Sequence, residues 1–263
     1  MLEVKNITYT AGKRQIVKNI SLQAQPGEIV VIAGANGAGK STLLKIASGS
    51  LQQHNGAVHI QNRELTGWKH SELAQFTAVL QQQTVLTLPF TVSEVVMMGR
   101  YPHFKKHPHN SDHDIVEQAL KKAGIAHYAN RNYLSLSGGE QQRVHLARVF
   151  AQIWQASSFG TRYLFMDEPS NNLDIRHQHN MLTLARNFAN DGNCVIAVLH
   201  DLNLAIQYAD KILMMKNGEA LAFGTPGEVL QTETISAAFD YPIHIFNHSA
   251  YSHPIIMPSA SLS

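Results

Sequence analysis

Residues Gly34-Ala35-Asn36-Gly37-Ala38-Gly39-Lys40-Ser41-Thr42 fit the pattern G-x-x-x-x-G-K-[ST], and no other stretch restricts the fold as strongly. The apolar run Glu28-Ile29-Val30-Val31-Ile32-Ala33 before it predicts a buried strand. Leu43-Leu44-Lys45-Ile46-Ala47 after it predicts a helix. A strand, a glycine loop and a helix in that order wrap backbone N–H groups around a phosphate chain, and the helix N-terminus adds positive potential. Lys40 then reaches the outer phosphates and Ser41 offers its hydroxyl to Mg²⁺. Gly34, Asn36, Gly37, Gly39 and Thr42 complete the loop.

An acidic partner for such a loop is expected at the end of a second buried strand. Leu164-Phe165-Met166-Asp167-Glu168 supplies it. Asp167 is placed to hold Mg²⁺ through its water shell, and Glu168 to polarise an attacking water. A third element, Leu136-Ser137-Gly138-Gly139-Glu140, is a small-residue turn leading into the amphipathic stretch Gln141 to Arg148. A turn of that kind at a helix N-terminus suits an anion.

The chain between these motifs alternates in character. Residues 1 to about 85 read as strands around the loop, with Leu2 to Tyr9 and Ile16 to Leu22 half-buried. Asn55-Gly56 reads as a hairpin turn before Ala57 to Ile60. From about residue 88 the pattern is helical: Thr91 to Met98 with a capping threonine, Asp112 to Ala123, and Gly138 to Ala156. From residue 162 strands and helices alternate: Arg162 to Met166, Asp174 to Ala189, Cys194 to Leu199 and Asp201 to Tyr208. A hairpin at Asn217-Gly218 follows. Alternating β and α segments imply a parallel sheet. Tyr241 to Ser263 is poorly patterned and is expected to be partly loose.

Bulk properties exclude several classes. Apolar residues make up 44% and charged residues 15%, with a net charge of +2, too small to argue for nucleic acid or anionic lipid. A single cysteine, Cys194, rules out a disulfide framework. No apolar run approaches the roughly 20 residues of a membrane span, and Met1 to Lys5 has no signal-peptide character. Any membrane work therefore needs spans from another chain. Among 15 histidines, His103, His107, His109 and His113 lie close in sequence. Their spacing matches no zinc pattern, and solvated surface histidines are the better account.

Taken together, the loop, the acid pair and the Ser137-Gly138-Gly139 turn resemble those of ABC-transporter ATPases, in the right order over nearly the whole chain. The resemblance implies an α/β P-loop NTPase (RecA-like) core with an antiparallel β subdomain and an inserted α-helical subdomain. Residues 1–87 and 161–240 would form the core, 88–160 the helical part and 241–263 an extension. By resemblance Tyr9 stacks on adenine, and Gln82 contacts Mg²⁺ and water, although Gln81-Gln82-Gln83 leaves the register open by one residue. His200 senses the γ-phosphate. Asn172 and Asp174 belong to the D-loop, where Asn171 and Asn172 depart from the usual SALD. Two copies would trap ATP and Mg²⁺ between them, each nucleotide on Lys40 and Ser41 of one copy and against Ser137, Gly138 and Gly139 of the other.

Gly99-Arg100-Tyr101-Pro102-His103 and Leu173 to Gln178 are similar to ATPases of the iron-siderophore, haem and cobalamin importers, while the long connection Ile153 to Arg162 and Glu140 resemble the haem importers among them. The resemblance implies ATP hydrolysis for haem (hemin) import, with siderophore or cobalamin import as the alternative. Expected partners are transmembrane permease subunits, a second copy of the chain and, indirectly, a periplasmic or surface haem-binding protein. The expected location is the cytoplasmic face of the bacterial membrane. A soluble ABC ATPase acting on DNA or the ribosome is the remote rival. Long heptad insertions, a second cassette and a basic face, which such proteins carry, are missing from this sequence.

Overall fold

The computed structural model describes residues 1–82, 86–169, 173–247, 249 and 253–259. They form two compact units, Met1–Thr66 with Arg186–Ser263, and Gly67–Ala185. The first unit begins with β1 (Leu2–Ala11), β2 (Arg14–Ala24), β3 (Ile29–Gly34), α1 (Lys40–Ala47), β4 (Asn55–Ile60) and β5 (Arg63–Glu64). The second holds α2 (His70–Leu73), β6 (Thr77–Leu80), α3 (Val92–Met97), α4 (Asn110–Lys122), α5 (Gly138–Gln152) and β7 (Tyr163–Asp167). The division falls within α6 (Ile175–Asn190). The first unit then resumes with β8 (Cys194–Val198), α7 (Leu202–Tyr208), β9 (Lys211–Lys216), β10 (Glu219–Gly224), α8 (Pro226–Val229), α9 (Thr232–Phe239), β11 (Ile243–Phe246) and β12 (Ile255–Pro258).

In the first unit the strands run β10-β9-β3-β8, with β3 parallel to both β8 and β9 and β10 antiparallel to β9. Every residue of β3 and β8 is buried. Covered on both faces, such strands carry no polar alternation, which is why Ile29 to Ala33 reads as one apolar run. A second, antiparallel sheet runs β2-β1-β4-β5, and Lys18 N donates to Gly218 O at 2.8 Å to join β2 to the β9–β10 turn. The second unit pairs β6 and β7 in parallel. Its helices α3, α4 and α5 bury Val92, Val95, Ile115, Leu120, Val144 and Ala147 in one cluster. This is the α/β core with antiparallel and helical parts that the sequence implies. The second unit is wider than the helical stretch 88–160, because it also takes in β6 and β7.

Two local expectations change. Asn55-Gly56 is not a hairpin turn: both residues lie in β4, which pairs with β1. The register shifts between Lys5 and Thr8, and a Cβ on Gly56 would stand 2.4 Å from Lys5 O. The glycine serves a bulge in the sheet rather than a turn. The tight turn lies instead at Gln61-Asn62, with φ values of 54° and 62°. The helix expected to run to Ala156 stops at Gln152, and Arg162 donates to the carbonyls of Ile153 and Trp154, each at 2.8 Å.

The described residues after 240 hold more order than expected. Strands β11 and β12 pair antiparallel, from Ile243↔Pro258 to Phe246↔Ile255. The Asn203 carboxamide in α7 engages both backbone groups of Ile256, donating to its oxygen at 3.2 Å and accepting from its N–H at 2.9 Å. An amide side chain here completes the hydrogen bonding of a strand, a role no sequence period reveals.

The histidine stretch is not uniformly solvated either. Arg100 is 2% exposed and donates to Asp112 Oδ1 at 2.9 Å, to Ala151 O at 2.8 Å and to Gln155 Oε1 at 3.2 Å. His103 Nε2 lies 2.7 Å from Gln152 O and donates to it, while burial lowers its pKa. Among the described residues no three His, Cys, Asp or Glu side chains are grouped to hold a metal ion. Burial opposes ionisation of Asp112, but the His109 N–H and the Arg100 guanidinium outweigh it and hold the carboxyl below its usual range. This contribution is present above the ordinary carboxylate pKa and is lost as pH falls through the lowered value. Arg100→Met leaves Asp112 buried without its cation and is expected to lower unfolding free energy by about 3–5 kcal/mol, read by urea denaturation.

Candidate functional site

The phosphate loop is built where β3 ends. Gly39 precedes α1 with φ 99°, and a Cβ there would stand 2.6 Å from Ile16 O, so only glycine fits. Lys40 opens α1 and is 4% exposed. Its Nζ donates to Gly34 O at 2.8 Å and Ala35 O at 3.0 Å, which places the ammonium inside the loop. Asn36 and Gly37 are exposed, while Ser41 and Thr42 are half-buried on the first turn of the helix. No side chain caps α1, and no acid sits in its first turn. Its leading N–H groups and its positive end therefore meet no carboxylate from the helix's own first turn.

Helix α5 begins in the opposite way. Ser137 is its N-cap, and Glu140 closes a capping box. Glu140 Oε2 accepts from Ser137 N at 2.7 Å and from the Ser137 hydroxyl at 2.9 Å. The Ser137 backbone N–H, then its hydroxyl, holds the Glu140 carboxyl below its usual range. This gives Glu140, in the place of a glutamine, a local structural task. Ser137 and Gly138 are exposed and Gly139 is half-buried, so the turn presents its surface outward.

In the second unit the acid pair ends β7. Asp167 is 6% exposed. Glu168 follows at φ 47°, a left-handed conformation that costs a side-chain-bearing residue about 1–2 kcal/mol. Gln82 Nε2 donates to Glu168 Oε2 at 2.6 Å. Within the glutamine triplet this contact belongs to Gln82, and Gln83 lies outside the described residues. The Asp174 carboxylate accepts from His177 N at 2.8 Å and meets His177 Nδ1 at 2.7 Å. Asn171 and Asn172 lie outside the described residues.

In the first unit, Tyr9 is a half-buried residue of β1 paired with Val17. His200 is half-buried just beyond β8, and Asp201 after it caps α7 by accepting from Asn203 N at 2.7 Å. Two contacts were not legible in the sequence. Tyr133 OH and His145 Nε2 meet at 2.8 Å in the core of the second unit. Gln142 Nε2 donates at 3.4 Å to the carbonyl of Pro169, the residue after Glu168.

A loop with an ammonium inside it, an acid pair at a strand end and a glycine turn on a capped helix are the working parts of a nucleotide-hydrolysing cassette. The ABC transporter family pattern matches residues 17–171. The chain belongs to the ABC transporter family. A hemin import ATP-binding protein, HmuV, of Gloeobacter violaceus is 44% identical over all of this chain and 96% of its own length. HmuV of Pseudomonas aeruginosa is 42% identical over 98% of this chain and 99% of its own. An ATP-binding cassette solved as a dimer in a post-hydrolysis state with ADP and Pi superposes with a TM-score of 0.74 at 27% identity, over 86% of this chain and 99% of that one. An inward-facing metal-chelate type ABC transporter shares the fold, with a TM-score of 0.82 at 24% identity over 99% of this chain and 98% of that one.

In this ABC ATPase the family match spans the loop, Gln82, the Ser137 turn and the acid pair. His200 and the β11–β12 pair lie beyond the match but inside the full-length similarity. No helix among the described residues is long and apolar enough to cross a membrane. With Lys40 as the expected phosphate ligand, Lys40→Ala should weaken nucleotide binding by about 1.5–3 kcal/mol, roughly 10- to 150-fold. Titration with a fluorescent ATP analogue measures this.

Proposed function

We propose that this chain is the ATP-hydrolysing subunit of a haem (hemin) importer. The observation that carries the substrate is similarity at about 40% identity over full length to proteins named hemin import ATP-binding proteins. On this reading the chain works at the cytoplasmic face of the bacterial membrane on transmembrane permease subunits. It pairs with a second copy, as the similar dimeric cassette does. A haem-binding protein outside the membrane delivers the cargo.

The residues fit ATP and Mg²⁺. Ser41, Gln82 and Asp167 offer only oxygen donors suited to a hard divalent cation. When bound, Mg²⁺ would neutralise developing charge on the β- and γ-phosphates. Lys40 and the N–H groups from Gly34 to Thr42 hold the phosphates, with Asn36, Gly37 and Gly39 shaping the loop. Tyr9 stacks on the adenine. Ser137, Gly138 and Gly139 of the second copy close over the γ-phosphate, and Asn172 and Asp174 line the contact between copies. Glu168 accepts the proton of the attacking water while Gln82 and His200 orient it. The capped N-terminus of α5 suits a turn that must keep its shape until a phosphate meets it.

Glu168→Gln preserves shape and removes the base, so turnover should fall by about 10²- to 10⁴-fold with nucleotide affinity kept. Near-normal turnover would remove Glu168 from this role. The transport reading is tested with the chain assembled on its permease in membranes. A haem-loaded binding protein should stimulate ATP hydrolysis, and siderophore- or cobalamin-loaded ones should not. Stimulation by either of the others in place of haem would reassign the cargo.

A further inference from the structure

The link from β8 to α7 is Leu199, His200 and Asp201, and both of its ends are held. Leu199 N donates to Ile32 O at 3.3 Å, which carries the pairing of β8 with β3 to within two residues of Gly34. Asp201 Oδ1 accepts from Asn203 N at 2.7 Å and from Leu204 N at 3.2 Å, which fixes the first turn of α7. His200 lies between these two anchors. The sheet secures the near one. The far one depends on α7, a helix of 7 residues that is too short to be stable by itself.

The C-terminal strand pair supplies what α7 lacks. The half-buried Asn203 carboxamide donates to Ile256 O at 3.2 Å and accepts from Ile256 N at 2.9 Å. It stands beside β12 as the peptide group of a further strand would, with a donor and an acceptor side by side. Ile256 is buried, so its backbone groups are costly to leave unpaired. The strand pair is fastened in turn to the rest of the unit. Ile243 N in β11 donates to Ser236 Oγ in α9 at 3.1 Å, and Lys216 Nζ at the end of β9 donates to Ala237 O in the same helix at 2.5 Å. A continuous path therefore runs from β9, the neighbour of β3, through α9, β11 and β12 to the first turn of α7.

We propose that the C-terminal strand pair positions His200 for ATP hydrolysis, and that Asn203 is the positioning residue through which it acts. The proposal rests on the reading of His200 given above. Asn203 is bonded through its side chain to Ile256 and through its backbone to Asp201, the residue after His200. A shift of β12 is thus passed to the backbone that carries the imidazole. Groups that orient a reacting water must be held to within about 0.5 Å, and a displacement of about 1 Å costs as much as 10²-fold in rate. Asn203 is not among the residues assigned to the nucleotide, so its loss reaches the rate and spares the affinity.

Single-turnover ATP hydrolysis, which resolves slow rates, tests this on the full-length chain assembled with its permease. Asn203→Ala removes both bonds to Ile256 and should lower the rate by about 10- to 100-fold, with affinity for a fluorescent ATP analogue kept. Asn203→Asp keeps the shape and the acceptor but sets a carboxylate against Ile256 O, and should lower the rate by less. Should Asn203→Ala not fold, Asn203→Asp carries the same test. His200→Ala should lower the rate at least as far as Asn203→Ala. Adding either Asn203 variant to His200→Ala should then cost nothing further, because a residue that acts through His200 has nothing left to position. Losses that multiply in the double variant mark a general weakening of the fold and overturn the proposal, as does a parallel loss of nucleotide affinity. Full rates in the Asn203 variants, with the rate lost in His200→Ala, sink the proposal alone. A full rate in His200→Ala sinks the reading of His200 and the proposal with it.

Discussion

The phosphate loop depends on the pairing of β3 with parallel neighbours on both sides. With β8 on one edge, β9 on the other and every residue buried, Ile29 to Ala33 is covered on both faces and carries only apolar side chains. A strand so enclosed has no room to bend, so the chain turns only at its end. There the backbone passes within van der Waals distance of neighbouring carbonyls, and Gly39 has no Cβ to collide with Ile16 O. Lys40 is then held with its ammonium against the carbonyls of Gly34 and Ala35. The position of the charge is a consequence of sheet packing, not of the loop alone.

The two motif-bearing helices solve the same end-effect problem in opposite ways. Every helix leaves its first N–H groups without intrahelical partners. Helix α5 supplies its own partners through Ser137 and Glu140, as α3 does through Thr91 and Glu94. Helix α1 supplies none from its side chains. A capped helix keeps its geometry without a ligand, and an uncapped one directs its donors and its dipole at an incoming anion. That difference separates a turn fixed by its own side chains from a helix end suited to an anion. Glu168 adds strain of another kind, a non-glycine residue in a left-handed conformation whose carboxylate receives Gln82.

Much of this was legible in the residues. The loop, the acid pair, the glycine turn, the capping threonine at Thr91 and the Asn217-Gly218 hairpin each follow from a local rule, and each keeps its place. The misreadings share a cause. Asn55-Gly56 reads as a turn because glycine most often signals one, yet the close approach that requires Gly56 involves Lys5, about fifty residues away in sequence. Residues 241–263 lacked a clear period because β11 and β12 are four residues each and half-exposed. Arg100 served only as a cue of kinship, although it is a buried cation whose partners Asp112, Ala151 and Gln155 come from separate segments.

By itself the sequence determined the chemistry available: which backbone can wrap phosphate, which strand ends in acids, which helices cap themselves, and therefore the family. These features depend on residues within a few positions of one another, where spacing fixes geometry. Only the tertiary structure decided that Gln82 meets Glu168, that His103 is half-buried against Gln152 O, and that His177 is held by a carboxylate. Those outcomes depend on contacts between segments distant in the chain. Burial and charge pairing act through space, and the order of residues does not encode that distance locally.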